Sequence, residues 1–189
     1  NRYKKNADKG YKFVYGFPNS SSVHGFTAKL RWKLLGPIPF LIKPLRTGYF
    51  VKKILGKNLG NLFDVPLVSI SNINLTEEWE VKPITRFGSE FDELWHSFSR
   101  KIPVAVQRDS EYLNWRYIEK PGTAYNIFGL YKKGLLHGFI VYVTLKKHNG
   151  NIGYIMEMIV RDEYKNKAGI LVSHAEKDFI SNKADFILA

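Results

Sequence analysis

Three apolar runs, residues 125–131, 135–147 and 152–160, follow one another with little more than Lys133-Gly134 and Asn149-Gly150 between them. Asn-Gly is the strongest short hairpin signal, because a two-residue type I′ turn needs positive φ at both central positions. Three consecutive antiparallel strands are therefore expected. Residues 164–181 then carry a helical pattern, and the apolar run 185–189 reads as one more strand. Upstream, Ser89-Glu90-Phe91-Asp92 resembles a capping box, and Phe91, Leu94, Trp95, Phe98 and Ile102 follow at helical spacing until Pro103 stops them. Asp109-Ser110-Glu111 opens a second helix that ends at Lys120-Pro121-Gly122. With a weak strand over 81–87, the order is β-α-α-β-β-β-α-β. A meander followed by a helical crossover predicts an α/β (α+β) chain with a mixed sheet.

The remaining residues divide less clearly. Residues 13–17 are apolar and aromatic, and Pro18-Asn19 and a Ser triplet follow. Val23, Phe26 and Leu30 stand at helical spacing, and 32–42 is β-like again. That sequence predicts strand, turn, helix, strand, with Asn19 where the first strand meets the helix. Free backbone N–H groups at such junctions bind anions. Between the two blocks, residues 47–80 read as a connector with Gly48, Gly56, Gly60 and a basic stretch. A short strand is conceivable over 65–70, and a polar loop is expected over 72–80.

Composition narrows the class. At 189 residues and 44% hydrophobic content the chain can build a core. No apolar run approaches the roughly 20 residues of a membrane-spanning helix, and the start is polar and lysine-rich, so a cytoplasmic protein is expected. The absence of cysteine removes disulfides, thiolate metal sites and a Cys nucleophile. The five histidines show no metal-ligand spacing, so no metal is expected. Net charge is +12, and residues 1–60 hold 13 Lys/Arg against one acid, Asp8. The excess therefore lies in residues 1–60, a face suited to a polyanion or simply to solvation. Asn1 is not an initiator, and the last apolar run reads as an unfinished strand, so the chain is expected to be a fragment.

Two segments resemble a known family. Tyr15-Gly16-Phe17-Pro18-Asn19 before a helix, with Trp32 after it, resembles the last third of a GNAT-type N-acyltransferase domain. Arg108 to Tyr117, with Trp115-Arg116-Tyr117 and then Pro121 and Tyr125, resembles the opening of a second such unit. The pairing is most similar to tandem GNAT-like proteins associated with surface-polysaccharide biosynthesis. The resemblance implies the C-terminal part of one unit over 1–46, a connector over 47–80, and a second unit over 81–189 truncated at its fifth strand. It also implies acyl transfer from acetyl-CoA or a related acyl-CoA to an amine or amino sugar.

The chemistry is less complete than the fold. The family's pyrophosphate turn, R/Q-x-x-G-x-G/A, would precede Asn1 in the first unit. In the second it falls on residues 161–171, where Gly169 is the only glycine and neither alignment fits. A Cβ at the tight positions blocks close backbone approach, so the second unit is expected to be degenerate for the cofactor. Asn19 and Tyr15 are the candidate cofactor contacts of the first unit, set against turn geometry for Asn19 and core packing for Tyr15. The place of the usual general acid falls on Phe26, which has no proton to give; His24 is the nearest substitute, and the acid stays unassigned. Glu157, in an apolar strand, is the candidate catalytic base, set against a buried ion pair with Arg116 as its expected partner. On simple alternation Ile155, Glu157 and Ile159 share one face. Two alternatives stand beside acyl transfer: a Fem-type transferase using aminoacyl-tRNA, and a non-catalytic binding module whose basic residues hold a polyanion.

Overall fold

The computed structural model describes residues 8–10, 13–55, 62–68 and 78–189. The chain divides into two compact units, residues 1–39 and 40–189.

In the first unit Asn19 organises the turn. Its Oδ1 accepts hydrogen bonds from the Ser22 amide and the Ser22 hydroxyl, both at 2.9 Å, and its carbonyl accepts from the Val23 amide at 3.0 Å. A helical stretch follows and closes on a π-type turn, Gly25–Lys29. The Asn19 side chain therefore serves this turn. The strands expected over 13–17 and 32–41 do not form. A strand exists only through its ladder partner, and in these two stretches only Leu41 has one, exchanging backbone hydrogen bonds with Ala189 at 3.0 Å. Only the end of the second run becomes regular, and it belongs to the other unit.

That unit runs β1 (Ile42–Pro44), α1 (Gly48–Leu55), β2 (Trp79–Pro83), α2 (Ser89–Ser99) and α3 (Ser110–Leu113), which continues as a π-type turn over Asn114–Ile118. Then come β3 (Asn126–Lys132), β4 (Leu135–Lys147), β5 (Gly150–Val160), a 3-10 segment (Asp162–Lys167), α4 (Ala168–Ser181) and β6 (Phe186–Leu188). The sheet order is β1-β6-β5-β4-β3-β2. All pairs are antiparallel except β5–β6, which the α4 crossover makes parallel. The expected mixed sheet is present.

Both hairpins use consecutive residues at positive φ: Lys133 (50°) with Gly134 (78°), and His148 (51°) with Asn149 (61°). The second turn lies one residue before Asn-Gly. Gly150 is already in β5, where an added Cβ would lie 2.7 Å from the Tyr49 ring. At the start of α2 the capping box is absent: Gly88 is the N-cap and no side chain caps the helix. Asp109 does cap α3, accepting from the Tyr112 amide at 2.9 Å. The first meander strand begins at Trp79, two residues earlier than expected.

The division at 39/40 places 40–46 with the second unit, where β1 pairs antiparallel with β6. The stretch expected to be a connector also contributes structure. It holds α1, a bridge between Arg46 and Pro66, and an Arg46–Asp64 ion pair at 2.9 Å. The possible strand over 65–70 lies partly outside the described residues, and within them it provides only that bridge.

The sheet is covered on both faces. On one, Leu171, Ala175 and Phe179 of α4 meet Leu130, Ile140 and Tyr142. On the other, Phe91 and Leu94 of α2 and Leu113 and Tyr117 meet Ile127, Phe139, Val141 and Ile159. The run from Phe139 to Val143 is buried throughout, as a central strand between two helical layers must be. Among the described residues no helix is long and apolar enough to cross a membrane.

Candidate functional site

A β-bulge decides where the polar chemistry of the sheet points. Val141 pairs with Glu157, but the next residue, Tyr142, pairs with Ile155, so Met156 is an extra residue in β5. A bulge breaks the two-residue alternation of side chains. Ile155 therefore packs with the α4 face, while Met156 and Ile159 pack with the α2–α3 face. Glu157, opposite Val141, shares that second face. The expectation that Ile155, Glu157 and Ile159 share one face is corrected by this single insertion.

Glu157 is neither fully buried nor alone. Its side chain is 14% exposed, and its Oε2 accepts from the Arg108 Nε at 2.8 Å. The expected partner, Arg116, instead lies over the Tyr117 ring at 5.8 Å. The ion-pair half of the expectation holds with a different arginine. Arg108 stands just before α3 in the loop 100–109. One of its terminal nitrogens donates to the Val106 carbonyl at 2.6 Å, and its guanidinium lies 5.9 Å from the Trp95 ring centre.

Tyr117 closes the group from the apolar side. It is buried, and its hydroxyl lies 3.5 Å from the carbonyl of Met156, the bulged residue. Burial, and then the nearby Glu157 carboxylate, push its pKa well above the usual phenol value. Tyr117 therefore keeps its proton at any physiological pH.

A shallow cleft of 460 Å³ lies between α2 and α3, lined by Asp92, Trp95, His96, Gln107, Asp109 and Glu111 among others. Its carboxylates are partly committed to the fold. Asp92 accepts from the Ser110 amide and hydroxyl, and Asp109 accepts from Tyr112 and Gln107. Gln107 and Asp109, the two neighbours of Arg108, both face the cleft, as does Trp95 beneath it.

The β5–α4 junction does not fit a pyrophosphate. Between Val160 and Ala168 the chain forms the 3-10 segment, with Asp162 and Glu163 in its first turn. Those two negative charges oppose an anion where a phosphate would have to sit. Arg161 is turned away, its Nε donating to the Leu136 carbonyl at 3.2 Å. Gly169 has no neighbour within 4 Å of an added Cβ, so close approach is not why a glycine stands there.

In the first unit, Tyr15 is 55% exposed and lies between the rings of Phe13 and Phe17. Asn19 spends its side-chain oxygen on Ser22, the turn role set against cofactor contact. Phe26 packs edge-on against Trp32 at 4.8 Å. Tyr15 and Asn19 thus share one unit, and Glu157 stands in the other. Sequence reasoning missed the role of Arg108. It lies in the quoted segment, but nothing local marks a partner 49 residues away.

No family model matches this chain. No curated protein matches it either. Solved structures are similar over part of the chain. An aminoglycoside acetyltransferase from an uncultured soil metagenomic sample is 12% identical, with 59% of this chain and 77% of that one covered and a TM-score of 0.43. A ribosomal-protein-alanine N-acetyltransferase from Brucella melitensis biovar Abortus 2308 is 18% identical, with 56% and 74% covered and a TM-score of 0.44. A glucosamine-6-phosphate N-acetyltransferase from Arabidopsis thaliana is 16% identical, with 56% and 76% covered and a TM-score of 0.42. An antiparallel meander precedes a helical crossover into a parallel neighbour, as the sequence leads one to expect.

Proposed function

We propose that this chain belongs to an N-acyltransferase that moves an acyl group from a coenzyme A thioester to an amine, with Glu157 as its candidate base. The observation that carries this reading is Glu157. The bulge at Met156 leaves a largely buried carboxylate on the α2–α3 face of a central strand, paired with Arg108. A carboxylate there draws a protonated amine by charge and takes the proton that must leave before the nitrogen can attack. Tyr117, kept protonated by burial and by the Glu157 charge, is a candidate proton donor.

Tyr15 and Asn19 are the candidate cofactor contacts of the first unit; the β5–α4 junction of the second unit does not suit a pyrophosphate. The tandem arrangement, an amino-sugar acceptor and a setting in surface-polysaccharide synthesis belong to the same proposal. They rest on the Tyr15–Asn19 and Trp115–Tyr117 segments.

The test is thiol release by the full-length protein from acetyl-CoA across a panel of amines and amino sugars, with Glu157→Gln beside wild type. Loss of a general base lowers turnover by about 10²–10⁴-fold. The same substitution removes the Arg108 ion pair, so stability is measured beside turnover. Unchanged turnover with altered stability would leave Glu157 a structural ion-pair partner. The basic residues 1–60 favour a second reading, a module that binds a polyanion. Binding that weakens steeply with added salt, without any acyl transfer, would select it.

A further inference from the structure

We infer that the β1 edge of the second unit, within residues 40–67, is a docking surface for an anionic lipid bilayer. The inference is independent of the acyl-transfer reading, because it uses neither Glu157 nor the first unit.

β1 is the outermost strand of the sheet on its side, and α1 and residues 62–67 are tied to that edge. The Thr47 amide donates to the Val65 carbonyl at 3.0 Å, and the Leu67 amide donates to the Leu45 carbonyl at 2.8 Å. α1 spends Tyr49 and Phe50 on Phe186, with ring centres 5.0 and 5.9 Å apart. What these pieces leave outside is apolar. Phe40, Ile54 and Leu62 are 78%, 79% and 76% exposed, and their sequence neighbours Leu41, Leu55 and Phe63 are exposed as well. Elsewhere in the unit the most exposed bulky apolar side chains, Val104, Trp115 and Leu135, stand singly on separate elements. Scattered apolar residues are ordinary on a surface, whereas a concentration of them marks a place of interaction.

Charge selects the partner. No Asp or Glu occurs between Asp8 and Asp64, and Asp64 is held by Arg46 at 2.9 Å. Lys52 and Lys53 stand in the last turn of α1, next to Ile54 and Leu55. Among the described residues neither lysine has an ion-pair partner. Exposed apolar side chains beside such lysines match an anionic leaflet. The apolar groups enter the acyl boundary while the ammonium groups stay with the headgroup charge. A second copy of this chain would bring the same positive charge against itself. A strand from another protein would meet Lys43 and Pro44 in β1, residues that guard a sheet edge, and Pro44 has no N–H to offer it.

The experiment is co-sedimentation of the full-length protein with vesicles of phosphatidylserine and phosphatidylcholine in equal parts. Vesicles of phosphatidylcholine alone and soluble heparin are the controls. Binding to the mixed vesicles and not to phosphatidylcholine alone is expected. Lys52→Gln/Lys53→Gln should weaken it by about 30-fold, or about fivefold for each charge removed. Phe40→Ser/Ile54→Ser changes exposed side chains only and should weaken it by about tenfold or more. No binding to the mixed vesicles, or binding that either double variant leaves intact, would overturn the surface. Binding to heparin in place of vesicles would assign the charge to a soluble polyanion. A dimer in sedimentation velocity that the serine variant dissociates would assign the apolar residues to a second copy. Either result overturns the lipid surface.

Discussion

Replacing Asn114 by alanine removes both hydrogen bonds that tie the β2–α2 loop to α3. The Asn114 Oδ1 accepts from the Phe87 amide at 3.0 Å, and its Nδ2 donates to the Phe87 carbonyl at 2.9 Å. Asn114 is 6% exposed and Phe87 2%, so neither backbone group regains a partner from solvent without local opening. A buried polar group left unpaired costs about 1–3 kcal/mol, so the pair is worth about 2–4 kcal/mol. The strain is not confined to the loop. The Phe87 ring packs against Phe91 at 4.7 Å and Phe139 at 5.7 Å, within the layer on the sheet face that Glu157 shares. Urea unfolding followed by tryptophan fluorescence should show the midpoint falling by roughly 1–2 M with an unchanged slope. Asn114→Asp sharpens the test. It keeps an acceptor for the Phe87 amide but sets a carboxylate oxygen against the Phe87 carbonyl, and it buries a charge. Its folded pKa must then lie above the unfolded value of about 3.9. The stability it retains is present below that value and is lost as pH rises through the folded pKa. A loss under about 1 kcal/mol in the alanine variant, or an aspartate variant as stable at pH 7 as at pH 4, would refute the reasoning.

Two further expectations concern the sheet and its helical cover. Burial holds both His137 and His174 below the usual 6.5, so the folded state keeps them neutral. Their contribution is full above about pH 6.5 and is lost as pH falls through their depressed values. Unfolding free energy should therefore decline between pH 7 and 5, and His174→Gln should flatten the decline; an equal slope in the variant would contradict this. At Gly138 an added Cβ would stand 2.8 Å from the Ile159 carbonyl oxygen and 2.9 Å from a Val160 methyl. Because the nearest atom is β5 backbone, Gly138→Ala should cost about 1–3 kcal/mol and lower the thermal midpoint by roughly 3–10 °C. A calorimetric midpoint within about 2 °C of wild type would show that the strand yields.

The meander was legible because local rules suffice for it. The three strands lie within two residues of their expected bounds, since apolar runs and tight turns act over a few positions. The helix expected from Phe91 to Ile102 forms over Ser89–Ser99, ending before Ile102, and the Asp109 cap was legible for the same reason. The terminal strand was visible too, but not that Ile42–Pro44 would pair with it, because a ladder partner more than 140 residues away leaves no local mark.

The candidate site divides along the same line. Glu157 stood out as a carboxylate in an apolar run, a pattern that cannot be buried without a partner. Which face it takes was not legible. One extra residue, Met156, reverses the alternation, and a bulge is set by register against β4. Its partner was not legible either. Arg108 and Arg116 are equally basic and both far from Glu157 in sequence, and only the placement of the 100–109 loop brings the first of them to 2.8 Å. Sequence by itself determined the elements, their order and the presence of an awkward charge, because propensity, periodicity and turn chemistry are short-ranged. The tertiary structure alone decided where that charge points and which cation answers it, because both depend on contacts between residues that only folding brings together.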